Sequence, residues 1–521
     1  MTTPHLPDDC IYYILKHLQN NHSTLFECLL VNRFWCKVTV PLLYMSPFET
    51  IDKRHNYSII MTLITCLNKA EIVQLRNQLN FINVQNIKIN IEYKPLFDYT
   101  KYIEIYNDTI INLIIFNWFN RHLNLIDYQR KGMLDNFIST FHQSMLNQCV
   151  NIKQLNISLI QFEKENFNIQ FIKNFSSNLL KLTCLNLKNF NEINNEVVLE
   201  FLNSIENNCL NLRKLELSLY KSYPLETLTG KLCSIIQQQQ HLNIIKLSHC
   251  DFILDDIFLS LEFQRFSLTY FEFSYTNFSH ASFKDFIDLS NLKYLKFYGC
   301  KEISLENCEI LKFASFNLKE LILQYNSWKS NITISMIKYL GISLQRLLVS
   351  DKTTIQIIQT ISNYCLNLST LEIKIETNTD ISIFPYLKNL NIKILNIQIF
   401  INNNNMGDWF ISLANSLPTS VEEISFHSIT LFHSSYFKIL LDNCHGYLVT
   451  INLNDYINLY NLKAVLDYAE RSNHHLRSLG IRMIGTRLNE EESQLLNKIK
   501  EKGVNVMEFN SIYKETDYVY L

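Results

Sequence analysis

One spacing constrains this chain more than any other feature. The pattern L-x-x-L-x-L, with Ile, Val or Phe as substitutes, recurs as NIKQLNIS, KLTCLNLK, NLRKLELS, HLNIIKLS, SLTYFEFS, NLKYLKFY, NLKELILQ, SLQRLLVS, NLSTLEIK, NIKILNIQ, SVEEISFH, YLVTINLN and HLRSLGIR. The central apolar residues are Leu155, Leu185, Leu215, Ile245, Phe271, Leu295, Leu321, Leu347, Leu371, Leu395, Ile424, Ile451 and Leu479, which gives steps of 30, 30, 30, 26, 24, 26, 26, 24, 24, 29, 27 and 28. A degenerate copy follows at Val504, Met507 and Phe509, and another precedes at Ile87 and Ile89. A unit of this size holds one short alternating strand and a return segment, and it cannot bury its own apolar face. Stacking the units supplies the core, so the chain is expected to form a quasi-linear array.

The repeat resembles the leucine-rich repeat. Cys250, Cys300 and Asn326 each stand three residues after a strand's last apolar residue, where that family favours Cys or Asn to satisfy the backbone of the turn. Cys149, Cys209 and Cys365 stand three residues before the next strand's first apolar residue and read as core fillers. The resemblance implies an α/β solenoid, a horseshoe with parallel inner strands and outer helices. With strands about 4.8 Å apart, thirteen of them trace an inner arc of roughly 60 Å, a surface for gripping a protein.

The amino terminus has a different period. Pro7 and the acids Asp8 and Asp9 suit a helix start, and Ile11, Ile14, Leu15 and Leu18 fall on one face. A second set, Leu25, Cys28 and Leu29, follows a Ser23/Thr24 cap, and a third carries Phe34, Trp35 and Val38 before Pro41 is expected to stop it. Three helices in forty residues make a small core, so the module is expected to lean on a partner or on the next domain. Leu6-Pro7, Ile11, Ile14-Leu15, Leu18, Leu25 and Val31-Asn32-Arg33-Phe34-Trp35 together resemble the F-box, with Asp9 where Glu is usual and Cys10 where an aliphatic is usual. That resemblance implies docking on a Skp-family adaptor and, through it, on a cullin, with no catalytic group supplied by the module. Leu6, Pro7, Ile11, Leu15, Leu18, Val31 and Trp35 are the candidate adaptor contacts, some of which must instead form the module's own core.

Composition narrows the alternatives. Nine glycines in 521 residues and no GxG argue against a phosphate-cradling loop, and Gly480 with Gly485-Thr486-Arg487 only approximates one, lacking the lysine. The net charge of −2 and the lack of a basic run argue against nucleic acid as a partner. The most apolar stretch, Ile110 to Phe119, is too short and too polar to span a bilayer, and no secretory signal opens the chain. Thirteen cysteines without a CxxC read as reduced thiols and not as metal ligands, and the pair His474-His475 reads as a solvated loop. No clustered nucleophile or acid/base set emerges, so no enzyme activity, cofactor or metal is expected.

The expected organisation is an F-box over 1–46, a helical spacer with one irregular repeat over 47–145, leucine-rich repeats over 146–512 and a tail over 513–521. In the spacer, Lys53 to Asn80 and Tyr102 to Leu146 read as helical around the strand-like VQNIKINIEY. Gln237–Gln240 and Asn402–Asn405 read as outer loops. The function so implied is substrate recognition for a Skp–cullin–F-box ubiquitin ligase, leading to ubiquitination and proteasomal degradation, in the cytoplasm or nucleus. The alternative is a repeat scaffold acting outside a ligase. Strand alternation sends Tyr270, Glu272 and Ser274 to the concave face, beside Tyr294, Lys296 and Tyr298, then Glu320 and Gln324, then Arg346. Tyrosines flanking charges there form the candidate surface for a protein substrate. The tail ending Tyr518-Val519-Tyr520-Leu521 is the reserve candidate.

Overall fold

In the computed structural model the described residues are 7–19, 21–48, 57–81, 95–122, 128–163, 167–188, 196–219, 226–351, 353–376, 381–400, 407–428, 434–454, 458–482 and 488–512. The chain divides into two compact units, Met1–Leu268 and Thr269–Leu521.

The first unit opens with α1 (Asp8–His17), α2 (His22–Cys28) and α3 (Arg33–Leu43). Acids at the start of α1 and Lys16 and His17 at its end complement the helix dipole. The α2 cap is Asn21 and not Ser23 or Thr24: the Thr24 N–H donates to Asn21 Oδ1 at 3.1 Å, and the helix begins two or three residues earlier than expected. Asn32 caps α3 in the same way, accepting from the Trp35 N–H at 2.9 Å. Pro41 does not stop α3, which runs on to Leu43. A proline in the last turn deletes one ladder bond, and little of the helix remains beyond it to disrupt. Ile11, Leu15, Leu25, Cys28 and Leu42 form the module's core, with Leu18, Phe34, Trp35, Val38 and Leu43 packed partly against it.

The spacer holds α4 (Tyr57–Thr65) and α5 (Lys69–Phe81), the latter opened by a reciprocal Asn68–Glu71 cap. Ile87 and Ile89 lie outside the described residues, as do Asn402–Asn405, Gly485–Arg487 and the tail 513–521. The strand that starts the sheet is β1 (Ile105–Asn107), inside a stretch expected to be helical. It pairs with the first regular repeat, Tyr106 opposite Leu155. The Met45 carbonyl, just past α3, accepts from the Glu104 and Ile105 N–H groups at 2.9 and 3.1 Å and so covers the sheet's free edge. Next come α6 (Asp108–His122) and α7 (Tyr128–Gln148); α6 packs on the following strand, on α4 and on α7, and its apolar run is spent there: Ile111, Ile114, Ile115, Trp118 and Phe119 are buried.

Three further pairings complete the first unit's sheet through β2 (Gln154–Ser158), β3 (Cys184–Lys188), β4 (Lys214–Ser218) and β5 (Ile244–Ser248), all parallel. The second unit contains β6 (Tyr270–Ser274), β7 (Tyr294–Tyr298), β8 (Glu320–Gln324), β9 (Arg346–Val349), β10 (Thr370–Glu376), β11 (Ile394–Phe400), β12 (Glu423–Ser428), β13 (Thr450–Leu453), β14 (Ser478–Ile481) and β15 (Asn505–Glu508), parallel and in chain order. Within each unit the expected central residues face one another in register: Leu155, Leu185, Leu215 and Ile245 in the first, and Phe271 through Leu479 in the second. The last repeat is one residue off, since Leu479 pairs with Val506 and Met507 stands opposite Gly480. A slip of one residue exchanges the faces of a strand, so Met507 belongs to the face away from the core. The chain is thus an α/β leucine-rich-repeat fold preceded by a three-helix module.

Return segments differ in kind. The 30-residue repeats return through helices such as Glu196–Asn208, which buries Val198, Phe201, Leu202 and Ile205 at helical spacing. The step from β6 to β7 returns through a single 3-10 turn, Phe286–Asp288, and there buried rings of Phe278, Phe283 and Phe286 fill the volume a helix would take; the equally short step from β9 to β10 keeps a helix, Ile355–Tyr364. Asn326 does what its position implied. Its Oδ1 accepts from the Cys300 N–H at 2.9 Å and its Nδ2 donates to the Phe297 carbonyl at 3.2 Å, tying one turn to the one before.

Candidate functional site

Two surfaces carry the expected site residues, and the structure sorts both. In the three-helix module Ile11 and Leu15 are buried in its own core, which removes them as adaptor contacts. Leu18 and Trp35 are half-buried against that core, Pro7 and Val31 are exposed, and Leu6 lies outside the described residues. Besides Val31, apolar side chains that were not among the candidates are exposed. Phe26, Leu30 and Val31, within six residues of chain at the α2–α3 junction, are 63, 80 and 56% exposed, and Tyr12, Tyr13 and Ile14 on α1 join them. Large exposed apolar groups concentrated on so small a module mark a surface for a partner. The signal was present in the helical spacing: Ile11 and Leu15 already supply the inward stripe of α1, which leaves the residues between them facing out.

On the strands, the open face carries the residues that alternate with the buried ones. In the first unit it is amide-rich: Asn107, Asn156 and Asn186 stand in register with Glu216. Asn186 Nδ2 donates to Glu216 Oε2, while Lys214 and Lys246 approach Glu216 Oε1 at 3.0 and 3.8 Å. A shallow cavity of about 120 Å³ opens over this ladder.

In the second unit the register brings Tyr270, Tyr294, Glu320 and Arg346 into one row, and Glu272 and Lys296 into the next. Tyr270 Oη donates to Glu272 Oε2 at 2.9 Å, and Lys296 Nζ lies 3.0 Å from Glu272 Oε1. The Tyr270 and Tyr294 rings stack with centroids 6.5 Å apart. Tyr270, however, is only 4% exposed, and Glu272 and Glu320 are buried with it. These three hold the face together and offer a partner little area, which corrects their assignment as exposed contacts. Tyr294, Lys296, Tyr298 and Arg346 remain half-buried and reachable.

The rings that do stand out are Tyr275 and Tyr325, each one residue beyond its strand. Both pack edge-on against Tyr298, at 5.2 and 5.5 Å. They occupy left-handed backbone, with φ of +51° and +55°, at the position that Gly299 fills in the repeat between them. A Cβ on Gly299 would come within 2.7 Å of the Tyr275 ring, so glycine there lets that ring lie flat across the turn. Sequence reasoning stopped at the strand ends and missed this row.

Towards the carboxyl end the open face is covered. The short helix Phe509–Ile512 packs on β13 and β14, with the Phe509 ring 4.9 Å from His427 and its carbonyl accepting from Asn452 Nδ2 at 3.4 Å. Gly480 makes room for it, since a Cβ there would meet Ile512 Cδ1 at 2.8 Å.

Among the described residues no group of His, Cys, Asp and Glu could hold a metal ion, and no helix is long and apolar enough to cross a membrane. Some of the buried cysteines donate to backbone carbonyls of the preceding repeat, as Cys209 does to Leu179 and Cys300 to Phe273, both at 3.4 Å. Burial pushes the Cys209 thiol up to about 12, which leaves it a packing group and not a nucleophile.

No protein-family model matches this chain, and no curated protein does. Among solved structures, a chain of the TLR13–ssRNA13 complex is 14% identical with a TM-score of 0.35, the match covering 70% of this chain and 48% of that one. This chain therefore spans about half the length of that protein. The leucine-rich repeat-containing protein LegL7 from Legionella pneumophila is 14% identical with a TM-score of 0.35, covering 67% of this chain and 98% of that one. A chain of the Rad7–Elc1 complex in yeast is 13% identical with a TM-score of 0.32, covering 77% and 92%.

Proposed function

We propose that this chain is a substrate receptor of a Skp–cullin–F-box ubiquitin ligase, acting in the cytoplasm or nucleus. The three-helix module docks a Skp-family adaptor and through it a cullin. The open strand face of the repeats holds a protein target for ubiquitination and proteasomal degradation. The chain contributes no catalytic group; it raises the target's local concentration beside a ubiquitin-charged enzyme, turning a bimolecular encounter into an intracomplex one. The observation that carries the reading is the division of the F-box-like module into a self-sufficient core and an uncovered apolar set, Phe26, Leu30 and Val31 foremost. An amphipathic partner helix covering that set would use the helix-in-groove mode of recognition.

The experiment is co-purification of the full chain with the Skp-type adaptor and cullin, in wild type and in a triple variant Phe26→Ser, Leu30→Ser, Val31→Ser. The variant should fold, because none of the three belongs to the core, and should lose the adaptor by tenfold or more. Undiminished adaptor binding by the folded variant would sink the assignment of this surface. No adaptor binding by wild type would favour a repeat scaffold that works outside a ligase.

A further inference from the structure

One position of the repeat is apolar and yet lies outside the core. Two residues before Ile152, Leu182 and Leu212, the buried residues that lead into β2, β3 and β4, the chain places Val150, Leu180 and Leu210. These are 42, 59 and 42% exposed, and each directly follows a buried residue, Cys149, Leu179 or Cys209. The loops that carry them are stacked on one another. Cys209 Sγ donates to the Leu179 carbonyl at 3.4 Å, the Thr183 N–H to the Lys153 carbonyl at 2.8 Å, and the Arg213 N–H to the Thr183 carbonyl at 2.7 Å. Three large apolar side chains thus recur at one position of three successive repeats, along the edge where the strands begin. Gln240, also exposed, holds that position in the next repeat and ends the row.

The charges beside the row are of one sign. Lys153, Lys181 and Arg213 are all exposed. Lys153 is paired with Glu104 at 2.8 Å, but Lys181 Nζ donates to a neutral group, Asn151 Oδ1, at 2.5 Å. Among the described residues neither Lys181 nor Arg213 forms an ion pair. Two uncompensated cations therefore flank Leu180 and Leu210. In the second unit Ile342 and Leu366 hold the same position and are exposed, but Gln345 and Ser369 stand where Lys153 and Arg213 do in the first.

We propose that this edge of the first unit is a docking site for an amphipathic helix of a partner protein, one that carries aliphatic residues on one face and Asp or Glu beside them. The spacing selects a helix. Parallel strands set the row at about 4.8 Å per repeat, while a helix brings a side chain to one line along its axis about every 5.4 Å, a drift of roughly 1 Å over two steps. An extended segment repeats on one face about every 6.6 Å and drifts by nearly 4 Å over the same distance. Aliphatic residues one helical turn apart meet Val150, Leu180 and Leu210 in succession, the helix-in-groove mode of recognition. The helix's acids face Lys181 and Arg213, and such exposed pairs set the choice and direction of the partner more than its affinity. The edge shares no residue with the adaptor-facing set of the three-helix module or with the open strand face, so this inference is independent of the ligase reading.

Its test is fluorescence-polarisation titration of the purified full chain with two labelled alanine-based peptides of about 18 residues, long enough to be helical. Both carry leucines one turn apart on one face; the first has glutamates beside them and the second lysines. Wild type should bind the acidic peptide at least tenfold more tightly than the basic one. The double variant Leu180→Ser, Leu210→Ser removes only exposed groups, so it should melt as wild type does and lose the acidic peptide by tenfold or more. Lys181→Glu with Arg213→Glu should reverse the preference in favour of the basic peptide, and Leu366→Ser in the second unit should leave both affinities unchanged. No binding by wild type, equal affinity for the two peptides, or an acidic preference that survives either double variant would overturn the proposal. Sedimentation with phosphatidylserine vesicles separates the other source of an apolar, anionic surface: vesicle binding that the Leu180→Ser, Leu210→Ser variant abolishes, without peptide binding, would assign the edge to a membrane and overturn the helix.

Discussion

The three-helix module and the repeats obey the same burial rule with opposite margins. In α1–α3 five residues, Ile11, Leu15, Leu25, Cys28 and Leu42, form the buried cluster that joins the helices, while Phe26, Leu30 and Val31 are left in solvent. In the repeats every strand from β6 to β14 buries apolar residues on its inner side, each covered by a neighbour in register. A small module cannot enclose all its apolar surface, and what it fails to enclose becomes an interface. A stacked array encloses the inner side of its strands, although its return segments still expose apolar side chains such as Phe263, Phe313 and Leu366, and its open face and turns carry polar and aromatic residues.

The largest expected effect tests the array side of this contrast. Leu321 is fully buried between Leu295 and Leu347, so Leu321→Asp puts an uncompensated charge into the stacked core. It should cost about 4–5 kcal/mol or more and unfold neighbouring repeats of the second unit, read as loss of amide protection by hydrogen exchange. A melting temperature equal to wild type would contradict the register.

Next comes the module. Leu15→Ala removes one of its few fully buried side chains and should cost about 2–5 kcal/mol, enough to melt the three helices. Trp35→Ala, the larger truncation, should cost less, about 1–3 kcal/mol, because the indole is only half-buried. If Trp35→Ala proves the more damaging, the ring has a further role in holding the module together.

That reversal indicates what sequence could and could not convey. The strand register was legible because a spacing of 24 to 30 fixes which leucines stack, and pairing follows from stacking. The strand β1 was not, since Tyr106 sits in no L-x-x-L-x-L copy and its partner Leu155 is 49 positions away. Alternation correctly put Tyr270 and Glu272 on the open face, but their burial depends on side chains on adjacent strands, which a one-dimensional pattern cannot rank. Tyr275 and Tyr325 escaped because a left-handed turn redirects them after the alternation has ended.

The smallest effect probes where the helical segment is sealed to the first strand. His142 on α7 is fully buried between two neutral groups, with Nδ1 2.5 Å from Tyr106 Oη and Nε2 2.7 Å from Asn112 Oδ1. The amide oxygen can only accept, so Nε2 carries the proton and Nδ1 accepts from the tyrosine. Burial drives the His142 pKa down from 6.5 to about 3. The native state therefore stays unprotonated where the unfolded chain binds a proton, and the sign follows: its stabilising share is complete above pH 6.5 and is lost as pH falls towards 3. The slope is at most about 1.4 kcal/mol per pH unit, so near pH 5 this one residue costs about 2 kcal/mol. Urea unfolding of wild type and His142→Gln between pH 7 and 4.5 isolates it, because every other titrating group is common to both. The variant should be less stable at pH 7 and lose less on acidification. Parallel curves would mean that the imidazole takes up its proton in the native state, and that the seal between α7 and β1 opens under acid before the repeats do.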